Sequence, residues 1–374
     1  MTIVHIGMPH LPILYKMGGA IERRIREVAA RQAQAGSRVL VYSPEERRGR
    51  FDYNGAEIRA IQCKRSGVLR AAEFLTKSLR DARKEKPDVI HFHSMAEGAE
   101  FAKIFARGGF GKTVLSFDYF KFRRGKENPL FGWYKRALNS FTSLLPVSNY
   151  CRRESASYWN IPEQRMRVLY NGVSLQQFRP DPKDADLRRA SLGVRPDEFL
   201  MVYVGRVCLQ KGTDLLVEAY SRMRAGGGKV RLVIAGPIGQ FGHEGSHEIT
   251  RKLQEAGGTY LGPVEESVLP SIYNVADVFV LPTRVDEMFG MAAIEAQACG
   301  KPVVCSNHGG LPEVIENSSG LLFRSGDVDD LHRQLGQIAG DVPLRRRFSE
   351  AALTNAKRFS WESIVADLQM VYES

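Results

Sequence analysis

The stretch Glu287-Met-Phe-Gly-Met-Ala-Ala-Ile-Glu295 decides how this chain is read. It follows Asp277-Val-Phe-Val-Leu-Pro282, an apolar, β-branched run that is short enough for a buried strand and closed by a proline. From Met291 onward, Ala292, Ala293, Ile294, Ala296 and Ala298 predict a well-packed helix that ends at Gly300-Lys-Pro302. The run is a strand–loop–helix unit. Glu287 falls in the loop, Phe289 and Gly290 at the helix mouth, and Glu295 about one and a half turns in.

A helix N-terminus offers unpaired N–H groups to an anion, and Gly290 lets a ligand approach the backbone closely. A carboxylate on either side of that anion can hold hydroxyls, as acidic residues hold a ribose in dinucleotide folds. The arrangement suits a phosphate flanked by two polyols, which describes a nucleotide-sugar. Two solvated glutamates on an ordinary βα unit would share the same spacing, so the surroundings must decide.

Outward from this unit the same alternation runs in both directions. Upstream, strands are expected at Ile3–Gly7, Arg38–Tyr42, Asp88–Phe92, Thr113–Phe117, Leu144–Val147 and Arg167–Tyr170. Nearer the central stretch they are expected at Phe199–Gly205, Val230–Gly236 and Tyr260–Gly262, and beyond it at Val303–Cys305. Strands alternating with helices imply parallel sheets covered on both faces. At 374 residues the chain exceeds one typical core. The expected class is α/β, with two Rossmann-like doubly wound domains. Residues 1–180 form the first, the polar, proline-bearing stretch 181–196 is a linker, and 197–360 form the second.

Hydrophobic content of 43% and charged content of 25% are those of a globular protein, and no apolar run approaches the roughly 20 residues that span a bilayer. The N-terminus enters a strand directly, without a basic region or cleavage site, and five scattered cysteines lack any Cys-x-x-Cys spacing. The expectation is a cytoplasmic protein with reduced thiols. Residues 1–180 hold 32 Lys and Arg against 16 Asp and Glu, whereas the rest of the chain is mildly acidic. That asymmetry points to an anionic partner on the first half; a solvated basic face is the alternative.

The central segment resembles glycosyltransferase family 4, retaining enzymes of GT-B architecture. The matching residues are Leu281-Pro282, Glu287-Met-Phe-Gly290, Glu295-Ala296, Gly300-Lys-Pro-Val303, Gly309-Gly-Leu-Pro-Glu313 and Gly320-Leu-Leu322. Asn171-Gly-Val-Ser174 through Phe178-Arg-Pro180 resembles the family's Asn-Gly-Val-Asp…Phe-x-Pro, with Ser174 in place of Asp. The resemblance implies two domains facing across a cleft, the last helix (361–374) crossing back onto the first domain, the acceptor on the first domain and the donor on the second.

It also implies roles. Glu295 would bind ribose hydroxyls, Glu287 the sugar, and Arg206 and Lys211, from Gly205-Arg206 and Lys211-Gly212, the diphosphate. Arginine serves there through its fork and lysine as a point charge, in place of a metal. Backbone N–H groups from Phe289 to Met291 would assist, with Val264 also on the donor side. Gly18-Gly19 and Glu22 match the family's Gly-Gly-x-x-Glu loop, although a plain βα turn needs glycine too. The implied co-substrate is a UDP-sugar, with a GDP-sugar as the alternative, and no cofactor or metal.

Acceptor-side candidates are Asp118, His91, His93, Glu22 and Phe117. His91 and His93 share one strand face; two histidines without a third ligand nearby favour packing over a metal. Phe117 stands where the family often has a histidine against the donor sugar, so a hydrogen bond to the sugar's C6 hydroxyl would be lost and a 6-deoxysugar or pentose tolerated. The aromatic and basic segment Phe117–Phe141 suits an anionic membrane surface as well as a packed helix. The expected acceptor is therefore anionic or lipid-linked, at the inner face of the cell membrane. Ala106–Thr113 mimics a Walker A loop in the wrong structural order, and Asp184-Ala-Asp186 is a linker decoy. A nucleotide-sugar epimerase shares the architecture but needs a catalytic set not placed here. Nucleic-acid binding by the basic half lacks any recognition module.

Overall fold

The structure, a computed structural model, describes residues 1–14, 19–45, 48–95, 98, 101, 110–118, 125–238, 245–316 and 318–374. By internal contacts the chain divides into two compact units, Met1–Asn171 with Trp361–Ser374, and Gly172–Ser360.

The first unit is built on β1 (Thr2–Ile6), β2 (Arg38–Ser43), β3 (Arg50–Tyr53), β4 (Ala56–Ala60), β5 (Val89–His93), β6 (Lys112–Phe117) and β7 (Ser143–Pro146). They form one sheet in the order β3-β4-β2-β1-β5-β6-β7, parallel except where β3 turns back on β4. That hairpin was not expected. Its turn is Asn54-Gly55, both at positive φ, the pairing that suits a tight hairpin.

The second unit carries β8 (Phe199–Val204), β9 (Val230–Ala235), β10 (Thr259–Tyr260), β11 (Val278–Leu281), β12 (Val303–Ser306) and β13 (Gly320–Phe323). Their order is β10-β9-β8-β11-β12-β13, parallel throughout. Strands such as Phe199-Leu-Met-Val-Tyr-Val204 are apolar nearly end to end because helices cover both faces. In each sheet the first strand in sequence lies in the interior, and the strand order reverses beside it: between β1 and β5, and between β8 and β11. Ligands of open α/β sheets bind outside the carboxyl ends at such points.

Two expectations are corrected. Residues 181–196 are not a bare linker. Pro182–Ser191 is a helix, N-capped by Asp181 and anchored to the second unit by Arg189, which donates to the Val275 carbonyl at 2.8 Å and to Asp277 at 3.1 Å. The chain instead passes between units at Asn171–Gly172 and Ser360–Trp361. Arg167–Tyr170 is not a strand, although Arg167 and Leu169 donate backbone bonds to Leu144 and Pro146 of β7.

The last helix, Trp361–Glu373, belongs with the first unit. There Glu362 pairs with Arg31 at 2.9 Å, and the Tyr372 hydroxyl meets His91 Nδ1 at 2.6 Å. Among the described residues, no helix is long and apolar enough to cross a membrane.

Candidate active site

The second unit brings its predicted residues together from two adjacent strand ends. Gly205 and Arg206 follow β8 directly, and Lys211 closes the short turn Leu209–Lys211. Glu287 lies in the loop between β11 and the helix Met291–Ala298. Lys211 Nζ donates to Glu287 Oε2 at 2.5 Å, with both side chains about a fifth exposed. Two residues 76 positions apart thus form a partly buried ion pair at the crevice. The Arg206 carbonyl accepts from the Tyr203 hydroxyl at 2.7 Å, which ties this turn to β8.

Two supports were missed by the sequence reading. Arg284 sets its guanidinium fork on both carboxylate oxygens of Asp214, at 2.5 and 2.6 Å, and donates to the Leu209 carbonyl at 2.7 Å. Its own N–H reaches the Gln210 carbonyl at 2.9 Å, so the loop after β11 is stitched to the turn that holds Lys211. The second support is Gly309-Gly310. Gly310 N–H donates to the Glu287 carbonyl at 2.7 Å, while Gly309 has φ of +64° and a Cβ there would strike that same carbonyl oxygen. Glycine at 309 is required for the loop to hold Glu287.

Gly290 caps the Met291–Ala298 helix at φ of +97°, and a Cβ there would lie 2.5 Å from Leu311. Glu295 is 3% exposed and accepts from the Tyr273 hydroxyl at 2.7 Å. Tyr273 is held edge-on by Phe178 and Phe279, at centroid distances of 5.9 and 5.4 Å. Phe289 is buried, with its ring edge-on to Phe359 at 5.5 Å, so only its backbone is offered at the helix mouth. Met291 is half-buried in the first helical turn. Val264 lies apart from these residues in sequence and sheet order, in the loop after the edge strand β10.

In the first unit several candidates change meaning. Gly18 lies outside the described residues; Gly19 caps the helix Ala20–Gln34. Glu22, at the third helical position, is a capping residue. It is buried, which raises its carboxyl pKa, while the N–H groups of Glu22 and Gly19 act against that rise. Phe117 is 3% exposed, so its ring is packed in the core of the first unit. Asp118, just past β6, is about a quarter exposed and lies 3.4 Å from Arg24 Nη1, which also donates to Asn171 Oδ1 at 3.1 Å.

His91 and His93 are fully buried, stacked at 4.2 Å, and joined by a third histidine the sequence reading did not place with them. His5 pairs with His91 across β1 and β5 and contacts His93 at 3.0 Å. The Gln32 carboxamide oxygen can only accept, so His5 Nε2–H donates to it at 2.8 Å and neutral His5 accepts from His93 at Nδ1. His91 engages Tyr372 and Ser116 through its two nitrogens. The three rings have metal-ligand spacing, but His5 and His91 already have a protein partner at each nitrogen. Burial holds His5 down to about 4, and His91 and His93 well below the ordinary histidine range. This is a neutral hydrogen-bonded cluster in the core.

In the membrane-surface candidate, residues 119–124 lie outside the described residues. The helix Phe131–Asn139 that follows buries Ala137 and Leu138 and leaves its aromatics half-buried, with Phe131 stacked on Trp159 at 4.8 Å.

Residues 184–354 match the family model described as glycosyl transferases group 1, and residues 17–177 match glycosyltransferase family 4. The chain is 33% identical over 221 residues to the D-inositol 3-phosphate glycosyltransferase of Segniliparus rotundus, covering 58% of this chain and 49% of that one. It thus spans about half the length of that relative. Among solved structures, a glycosyltransferase of Rickettsia africae is similar with a TM-score of 0.84 at 19% identity, covering 100% of this chain and 97% of that one. Anabaena HepE in complex with UDP-glucose is similar with a TM-score of 0.80 at 18% identity, covering 100% and 99%.

The two parallel-sheet units are those of the GT-B fold. With two family models spanning most of its length, the chain belongs to glycosyltransferase family 4.

Proposed function

We propose that this protein is a retaining glycosyltransferase that moves a sugar from a nucleoside-diphosphate sugar to an acceptor hydroxyl in glycan, polysaccharide or glycolipid assembly. The Lys211–Glu287 pair carries the reading, because it sets a cation and a carboxylate together at the carboxyl edge of β8 and β11. In the resting pair each charge is matched by the other. An entering diphosphate takes over Lys211, with Arg206 as the second cation, and releases Glu287 to the sugar hydroxyls. The helix mouth at Gly290 and Met291 supplies backbone dipoles, and Glu295, oriented by Tyr273, takes the ribose.

As the glycosidic bond breaks, charge develops on the departing nucleoside diphosphate. Arg206 and Lys211 offset it from fixed positions, the electrostatic contribution expected to dominate, and no metal is needed in this scheme. The family resemblance supplies the remaining step: the departing phosphate takes the acceptor proton while the new bond forms on the same face of the sugar. A UDP-sugar is favoured, because the similar Anabaena protein was solved with UDP and with UDP-glucose. The excess of cations in residues 1–180 favours an anionic or lipid-linked acceptor at the cytoplasmic membrane face.

The test is transfer itself: UDP- and GDP-sugars with and without chelator, on wild type, Lys211→Ala and Glu287→Gln. Chelator-resistant donor turnover that drops at least a hundredfold in both variants supports the reading. Donor turnover in which both variants match wild type would overturn it.

A further inference from the structure

A recess of about 1240 Å³ lies wholly within the first unit, beside the carboxyl ends of β2 and β4. Eight of its lining residues are arginine or lysine, against two carboxylates, Glu45 and Asp81. The helix Gly67–Ala82 contributes a basic face, since Arg70, Lys77 and Arg80 stand seven and three positions apart and no acidic residue occupies its first turn.

Part of this charge is already matched. Arg59 is enclosed by Glu57, Asp81 and Glu85 at 2.9, 2.7 and 2.7 Å, Lys77 lies 2.6 Å from Glu73, and Lys84 leans on Asp81 at 3.3 Å. Four other lining cations are matched less fully, or by no charge. Among the described residues Arg50 reaches only Glu57, at 3.4 Å, which Arg59 already holds. Arg70 donates to the Pro9 carbonyl at 2.7 Å, a partner without charge. Arg48 and Lys64 are exposed at the rim, with no carboxylate among the described residues within ion-pair distance. Four cations thus converge on one concave space beside the carboxyl ends of β2 and β4.

We propose that this recess binds the phosphate or diphosphate group of the acceptor. The proposal rests on the transferase reading above and adds the acceptor's chemistry to it: a phosphorylated soluble acceptor or a lipid-linked diphosphate, both recognised by the same cations.

Cys63 supplies a local readout. It lines the recess and is half-buried, whereas the other four cysteines are buried. Maleimide alkylation of Cys63 is followed by mass spectrometry while inorganic pyrophosphate is titrated into wild type and into Arg48→Gln/Lys64→Gln. Both substituted side chains are exposed, and unchanged Tm verifies the fold. Pyrophosphate is expected to slow Cys63 modification at least fivefold in wild type, with a dissociation constant at least tenfold weaker in the double variant. No protection at millimolar pyrophosphate, or equal protection in both proteins, would overturn the proposal.

Vesicles of phosphatidylcholine, with and without one-fifth phosphatidylglycerol, form the second arm. Added protection by the anionic vesicles, beyond that of pyrophosphate, assigns the phosphate to a lipid source; none assigns it to a soluble acceptor. Protection by anionic vesicles without any by pyrophosphate would overturn the recess as a phosphate site. A UDP titration run alongside reports on the second unit. Its failure sinks the transferase reading without touching the Cys63 result.

Discussion

Acidifying the protein from pH 6.5 to pH 5 is expected to destabilise the first unit through His5, His91 and His93. In the folded state burial holds the His5 pKa at about 4, whereas the unfolded chain has the ordinary value near 6.5. Between those values the unfolded chain binds more protons, so stability is complete above about pH 6.5 and falls as the pH drops towards 4. At 1.36 kcal/mol per unit, the descent to pH 5 costs about 2 kcal/mol for His5 alone. His91 and His93 are shifted in the same direction by burial and add to that loss, as members of one coupled set. For a unit of this size that corresponds to a fall of at least about 4 °C in Tm. All three tryptophans, Trp133, Trp159 and Trp361, belong to the first unit, so tryptophan fluorescence in urea titrations follows that unit selectively. The His5→Gln variant should show a shallower pH dependence over the same window. A flat wild-type profile between pH 6.5 and 5, or an unchanged slope in His5→Gln, would refute the reasoning.

Gly309→Ala should lower donor turnover at least tenfold and reduce Tm, because the new Cβ displaces the Glu287 carbonyl; steady-state kinetics and a melting curve check both. Tyr273→Phe removes the hydroxyl that orients buried Glu295 and should weaken UDP binding roughly fivefold to tenfold by calorimetry, about 1 kcal/mol for one hydrogen bond. Arg284→Gln leaves Asp214 without its fork and loosens the turn under Lys211, so Tm should fall by a few degrees and the KM for donor should rise.

What was legible in the chain was whatever neighbouring residues encode. The β11–loop–helix unit could be read because its strand, glycine cap and small-residue helix are contiguous, and Glu287 and Glu295 fall where the spacing puts them. The β3–β4 hairpin carried its own Asn54-Gly55 signal and was passed over because its strands are short and polar. The helix Pro182–Ser191 was mistaken for a linker because its few apolar positions give little periodicity; its Asp181 cap and Pro182 start were the better signals. Glu22 is ambiguous from sequence, since a glutamate three places after Gly19 is a capping signature as well as a match to the family loop. Other features were out of reach. The Arg284–Asp214 fork joins residues 70 positions apart, and His5 meets His91 only through the register of β1 on β5. Nothing local encodes such pairings.

The most direct measurement of the central claim is calorimetric titration of UDP, without metal, into wild type, Lys211→Ala and Glu295→Ala. Binding by wild type that weakens at least tenfold in each variant, with both variants folded, is the predicted result. UDP affinity unaffected by both substitutions would mean that the crevice at β8 and β11 does not hold the donor nucleotide.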